Sequence, residues 1–252
     1  DSKNEYFILL RKKYFLELKL PDNWEKVLAD FGHYSVSEQI KLPKIISKIN
    51  PDLCHFLHFN VPVFYKGPYV VTIHDLLMHK QKGTLATTLP APVYFAKRLG
   101  YMHVFKRAVF NSKKIVVPSN TVKTETLNYY TKMDPDKIVV SYEGIDDKTF
   151  PKKNGVEILK KYEIDKPYFI YVGNAYPHKN ITRAIEAIVY LNEQDHKDCL
   201  FIIISSRNVF VQRLEKIINE LGAKQYVKLL GFVPDADLGP LLKNSCAFLY
   251  AS

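Results

Sequence analysis

The stretch YVGNAYPHKNITRAIEAI, residues 171–188, decides the fold. It continues directly from YFI at 168–170, so an apolar run rich in aromatic and branched residues ends at Gly173. Unbroken apolar character over five or six residues marks a strand covered on both faces, whereas a strand with one wet face alternates. After a short turn, Ile181, Ala184, Ile185 and Ile188 recur at helical spacing from Asn180 onward. The segment therefore reads as strand, glycine turn and helix. Gly173 lets the chain turn tightly, Lys179 brings a positive charge to the turn, and the free amides at the helix start add partial positive charge, a combination suited to a diphosphate. His178 is placed to donate one more hydrogen bond. On pattern alone, a solvated His178 and Lys179 with Asn180 as a helix cap fit the same residues equally well. Neither GxGxxG nor GxxxxGK[ST] occurs, which argues against a dinucleotide enzyme or a P-loop NTPase.

Similar apolar runs recur outward from this segment, at residues 6–10, 53–59, 69–73, 114–119, 137–142, 199–204, 226–230 and 246–250. Segments of helical period at 90–111, 120–131, 180–194, 209–221 and 236–244 lie between many of them. Alternating strand and helix predicts a doubly wound α/β architecture with parallel sheets. A charged stretch with Pro and Gly near 150–166 separates one strand series from the next, so two Rossmann-like domains are expected, facing each other across a cleft. Ligands of such sheets bind beyond the carboxyl ends of the strands, which gives the residues just after each strand the most weight.

Bulk properties narrow the class further. The 252 residues are 47% hydrophobic and 25% charged, the balance of an ordinary soluble protein. No apolar run reaches membrane-spanning length, and the first residues read straight into a strand, so a cytoplasmic protein is expected. Cys54, Cys199 and Cys246 show no Cys/His spacing, which points to neither a zinc site nor a disulfide framework. The net charge of +10 is concentrated in residues 1–150, with 22 Lys and Arg against 15 Asp and Glu. Such a field favours phosphate-bearing partners, whether nucleotide diphosphates, anionic lipid or nucleic acid, and a plain solvated surface is an equally good account. The stretch around residues 91–115 mixes Lys97, Arg98, Lys106, Arg107, Lys113 and Lys114 with Tyr94, Phe95, Phe105 and Phe110. That pattern suits a helix resting on anionic headgroups, and it equally suits a helix with its aromatics in the core and its cations in water.

The glycine turn resembles the donor-binding motif of glycosyltransferase family 4, in which a strand and a glycine lead to a Pro-Arg-Lys-Asn-like turn. The resemblance extends over nearly the whole chain, through SEQIKLPKIISKINPDLCHF, VVTIHDL, KIVVPSNTVKTE, KIVVSYEGIDDKTF and VKLLGFVPDADLGPLLKNSCAFLYAS in that order. It implies a GT-B fold, with an acceptor-side domain through residue 152 and a nucleotide-sugar domain from 153. It also implies a retaining, mannosyltransferase-like enzyme of cell-surface polysaccharide synthesis that needs no metal or other cofactor. The donor is then a nucleotide sugar and the acceptor a glycan or lipid-linked sugar. Contact with the inner face of the cytoplasmic membrane is at most peripheral, and nucleic acid is not an expected partner.

Residue by residue, Lys179 matches the lysine that stabilises the departing nucleoside diphosphate, an electrostatic role at a leaving group. Gly173, Asn174, His178 and Asn180 complete the donor turn. Asn174 stands where the family commonly has an arginine, and His178 replaces another, so half of the usual phosphate clamp carries no charge. Phe232 and Val233, with Gly231 and Pro234, match a turn whose backbone meets the nucleotide base. His74 and Asp75 resemble the His-Asp pair that faces the transferred sugar, where a histidine hydrogen-bonds a hydroxyl or manages a proton. Ser119 and Asn120 match a turn lining the cleft, with Ser119 equally suited to cap a helix. Glu143, Gly144, Ile145 and Asp146 resemble an Asn-Gly-Val-Asp turn, with Glu143 in place of asparagine and Gly144 suited to a positive φ.

In the family, two glutamates eight positions apart follow the strand matched by CAFLYAS, and the sequence stops at Ser252 before either. A first strand and its glycine loop also precede the strand seen here as the first. The resemblance thus implies that both domains are incomplete and that these residues alone have little or no transferase activity. Two rivals fit the same residues: a sugar-nucleotide epimerase on the same fold, and a non-catalytic basic binding protein.

Overall fold

The computed structural model describes residues 3–80, 87, 89–144, 154–206 and 209–252. The described chain falls into two compact units, the first taking residues 3–80 and 89–143 and the second the residues from 144 onward. The expected boundary at 152 and 153 lies outside the described residues.

The first unit runs through β1 (Tyr6–Leu10), α1 (Lys12–Phe15), β2 (Trp24–Leu28), α2 (Val36–Ile49), β3 (Cys54–Phe56), β4 (Tyr69–Thr72), α3 (Leu77–Lys80), α4 (Ala91–Asn111), β5 (Lys114–Val117), α5 (Asn120–Tyr129) and β6 (Ile138–Val140). Strands β3, β4, β5 and β6 form a parallel sheet in that order, while β1 and β2 form a separate parallel pair. The sequence pattern did not predict β2 or α2. WEKVL interrupts its apolar residues with charges, and its register is fixed by pairing, with Trp24 opposite Tyr6 and the two rings stacked 4.7 Å apart. Helix α2 carries Pro43 in its interior, which obscures a helical reading. Its start signal was present: Ser35 Oγ accepts from the Glu38 amide at 3.0 Å, and the Glu38 carboxylate accepts from the Tyr34 amide at 2.8 Å, a variant of the capping box.

Val71, Ile73, Ile115, Val117 and Ile138 of this sheet pack with Ile46 of α2 and with Phe105, Ala108 and Val109 of α4. Each fully buried side chain of this kind contributes about 1.5–3 kcal/mol. The burial on both faces that most of the apolar runs predict is only partial here, since Val70, Thr72 and Val116 are half-buried and Val139 is exposed.

In the second unit the two inner strands meet that expectation, while both residues of the last strand, Ala247–Phe248, are exposed. This unit consists of α6 (Gly155–Lys161), β7 (Tyr168–Val172), α7 (Ile181–Glu193), β8 (Leu200–Ile204), α8 (Val209–Glu220), β9 (Val227–Leu229), α9 (Asp235–Lys243) and β10 (Ala247–Phe248), with the parallel sheet ordered β10-β7-β8-β9. Tyr171, Phe201 and Ile203 point to one face, against Ile181, Ile185 and Ile188 of α7 and Phe210, Val211, Leu214 and Ile218 of α8. Tyr168, Ile170, Ile202 and Ile204 point to the other, against Ile158 of α6 and Leu241 of α9. Alternate residues of one strand thus feed two cores, which is why YFIYV and CLFIII carry no polar alternation.

In the first unit, α3 is fixed by a buried polar group. His79 is 2% exposed, with Nε2 2.8 Å from the Tyr130 hydroxyl, Nδ1 2.6 Å from the Tyr101 hydroxyl, and the Phe105 ring 4.4 Å away. One phenol donates and the other accepts, so a neutral ring satisfies both contacts. Burial, assisted by the nearby Arg98 charge, lowers its pKa from the ordinary 6.5 to about 4. Between those values the unfolded chain binds a proton that the folded chain does not, so stability falls as the pH falls through this window. We expect acidification from pH 6.5 to 4 to remove about 3 kcal/mol through this group. Urea midpoints measured across the window should drop more steeply for the parent than for His79→Gln; parallel curves would exclude His79 as the source.

Candidate functional site

The order of the second sheet creates a switch point beside β7. From β7 the chain proceeds through β8 to β9 on one side and returns to β10 on the other. Where strand order reverses in an open α/β sheet, ligands bind beyond the carboxyl ends, here those of β7 and β10. Gly173 leaves β7 with φ of +144°, in the range that favours glycine, and an added Cβ would stand 3.1 Å from the Tyr171 hydroxyl. That hydroxyl donates to the Asn174 carbonyl at 2.9 Å and so closes the turn over β7.

Pro177–Lys179 then form a single 3-10 turn, and Asn180 enters α7 in the left-handed region at φ +52°. Asn180 occupies the cap position without capping, because its side chain makes no bond to the first amides of α7. Its Nδ2 instead donates to the Ala251 carbonyl at 3.3 Å. Lys179 is not simply solvated either: its ammonium donates to the Tyr250 hydroxyl and lies 4.7 Å from the centroid of that ring. The His178 ring stacks on Tyr176, 5.7 Å between centroids, and Tyr176 packs edge-on against Phe210. The structure therefore gathers Gly173, Asn174, His178, Lys179 and Asn180 at one place and adds Tyr250. The sequence reading missed Tyr250, although it is one of the first residues beyond a strand. The signal needed was the pairing of β10 with β7, which brings the ends of those two strands together.

Phe232 and Val233 leave β9, with β8 between them and β7. Gly231 has φ of +71°, Phe232 is 79% exposed, and the Val233 side chain is buried against the core that holds Ile204 and Leu241. Val233 can offer a ligand only its backbone.

In the first unit, His74 and Asp75 follow β4, Ser119 and Asn120 follow β5, and Glu143 follows β6, all at the carboxyl edge. His74 Nε2 lies 3.0 Å from the Leu57 carbonyl and Nδ1 3.2 Å from the Glu143 carboxylate. Both partners are acceptors, so a neutral ring bonds one and a protonated ring bonds both. Asp75 Oδ1 accepts from the Leu77 amide at 2.9 Å and so ties down the start of α3. Ser119 caps α5 by accepting from the Val122 amide at 3.3 Å, and Asn120 Nδ2 donates to the Tyr142 hydroxyl at 3.1 Å. The expectation of a positive φ at Gly144 is not met, and a Cβ there would find open space, so neither backbone nor packing demands glycine. Ile145 and Asp146 lie outside the described residues.

Residues 21–149 match the family described as Glycosyltransferase Family 4. The chain belongs to that family. Residues 156–252 match the Glycosyl transferases group 1 family. The chain is 25% identical over 220 residues to the O-antigen chain mannosyltransferase RfbU of Salmonella typhimurium, covering 87% of this chain and 55% of that one. It is 22% identical over 187 residues to the O-antigen chain mannosyltransferase B of Escherichia coli, covering 73% and 46% respectively. The chain thus spans about half the length of these curated relatives. Among solved structures, Anabaena HepE in complex with UDP and glucose superposes with a TM-score of 0.62 at 16% identity, over 91% of this chain and 61% of that one. The fold is that of the GT-B glycosyltransferases.

The turn at Gly173 offers a direct check on the geometry of this edge of the second sheet. We expect Gly173→Ala to destabilise the chain by about 1–2 kcal/mol, since alanine must adopt an unfavourable φ while displacing the Tyr171 hydroxyl. Chemical denaturation reads the change, and an unchanged midpoint would mean that the turn does not need glycine.

Proposed function

We propose that the protein is a retaining hexosyltransferase, mannosyltransferase-like, that moves a sugar from a nucleoside-diphosphate donor to a glycan or lipid-linked acceptor in cell-surface polysaccharide synthesis. The observation that carries this reading is the Lys179 ammonium at the carboxyl ends of β7 and β10, beside the glycine turn and the side-chain-uncapped start of α7. A fixed cation and the positive end of α7 meet the charge that develops on a departing diphosphate. The leaving group is stabilised by these groups without a metal ion. Support comes from the two O-antigen mannosyltransferase relatives and from the UDP and glucose carried by the Anabaena structure. On the acceptor side, His74 is the group we assign to a sugar hydroxyl, with Glu143 holding its Nδ1.

We also assign α4 to the anionic inner surface of the cytoplasmic membrane. Tyr94 and Phe105 are in the core, but Val93, Phe95, Leu99 and Phe110 are exposed beside Lys97 and Lys106. Apolar side chains ringed by cations suit the headgroup boundary. Among the described residues no helix is long and apolar enough to cross a membrane.

Titration of the chain with UDP, GDP and ADP in a thermal-shift assay should raise the melting temperature for at least one of them. For that nucleotide, Lys179→Ala should weaken binding about tenfold or more; unchanged affinity would remove Lys179 from the site. For the lipid contact, co-sedimentation with phosphatidylglycerol vesicles should exceed that with phosphatidylcholine vesicles and fall when Lys97 and Lys106 are changed to Glu. Equal recovery with both lipids would rule out the anionic surface.

A further inference from the structure

Two contacts cross from the turn after β7 to the segment after β10: Lys179 to the Tyr250 hydroxyl, and Asn180 Nδ2 to the Ala251 carbonyl. The Tyr250 ring is itself supported. It stacks with Tyr171 at 6.4 Å between centroids and with Phe248 at 6.1 Å, the planes tilted by 17° and 18°. Tyr171 is 2% exposed and belongs to the core between the sheet and α7, and its hydroxyl holds the Asn174 carbonyl. One aromatic run thus links the core, the donor turn and the lysine.

A lysine side chain is flexible, and fixing it when a ligand arrives subtracts from affinity, whereas a side chain already held loses less. The ring of Tyr250 attracts the ammonium through its π face and the hydroxyl accepts one of its protons, which leaves further N–H donors for phosphate oxygens. The same hydrogen bond moves the Tyr250 phenol below its ordinary pKa. We propose that Tyr250 is a positioning residue for Lys179, presetting the ammonium at the switch point so that the diphosphate of a nucleotide meets a cation already in place. The inference rests on the assignment of Lys179 to the diphosphate.

The test is a double-mutant cycle on binding by the 252-residue chain, with UDP and GDP as probes and uridine and guanosine as controls lacking the diphosphate. Tyr250→Phe keeps the ring and removes only the hydroxyl, so the fold should persist with an unchanged melting temperature. It should weaken nucleoside-diphosphate binding about three- to tenfold, leave nucleoside binding unaltered, and have no effect in the Lys179→Ala background. A merely structural role for Tyr250 would lower binding equally in both backgrounds, and that result overturns the proposal, as does parent-like binding by Tyr250→Phe when Lys179→Ala is impaired. If Lys179→Ala itself binds like the parent, or neither diphosphate binds more tightly than its nucleoside, the assignment of Lys179 fails and this inference fails with it.

Discussion

A parallel sheet buried on both faces leaves polar chemistry only its edges and strand ends, and the second unit is organised by that constraint. Strand β7 comes first in the unit yet lies inside the sheet, with β8 and β10 on its two sides. Its residues divide between two cores, so none of its side chains can serve a ligand within the sheet. Function has to begin where the strand stops. Gly173 permits the abrupt exit, the Tyr171 hydroxyl secures the turn, and Lys179 and the start of α7 follow within a few residues. The placement of Lys179 and of the start of α7 at this edge is thus a consequence of how the apolar residues upstream are packed.

What was legible in the sequence divides along the same line. Strands such as YFIYV and CLFIII announced themselves because burial on both sides forbids polar residues, and helix α7 because its apolar stripe is regular. WEKVL was not legible, because its pairing with β1 supplies the order that its own pattern lacks. Lys179 was visible as a residue type in the right turn, but its partner Tyr250 lies 71 positions away, and only the strand order joins them. Local habit misleads at Gly144, which suits a left-handed glycine and does not adopt that conformation, and the alternative reading of Asn180 as a side-chain cap is not met either. Asp75, which the sequence suggests as a cleft-lining residue, also ties down the backbone of α3 through one carboxylate oxygen.

The two units prepare their polar groups differently. Lys179 has one neutral partner, an arrangement that leaves its charge and most of its donors available. His74 stands between a carbonyl and a carboxylate, so its protonation state decides whether one or both contacts are made. Glu143 stands where the turn that this one resembles has asparagine, and its carboxylate can only accept at Nδ1. A neutral amide there would offer a donor as well as an acceptor and would accommodate either nitrogen of a neutral ring.

The position of Tyr250 depends in turn on a buried charged group on the preceding helix. Asp237 on α9 is completely buried, paired with Lys161 at 2.5 Å and accepting from the Tyr162 hydroxyl at 3.0 Å. A buried carboxylate is tolerated only with such partners, and losing one of them costs more than the pair contributes. Through this cluster the end of α6 is tied to α9, and the Tyr168 hydroxyl on β7 donates to the Leu241 carbonyl at 2.6 Å on the same helix. Helix α9 leads directly into β10, whose register on β7 is set by Cys246 donating its amide to the Tyr168 carbonyl. The edge strand β10 pairs only briefly, so these buried contacts behind the sheet determine where its end, and therefore the Tyr250 hydroxyl, stands relative to Lys179.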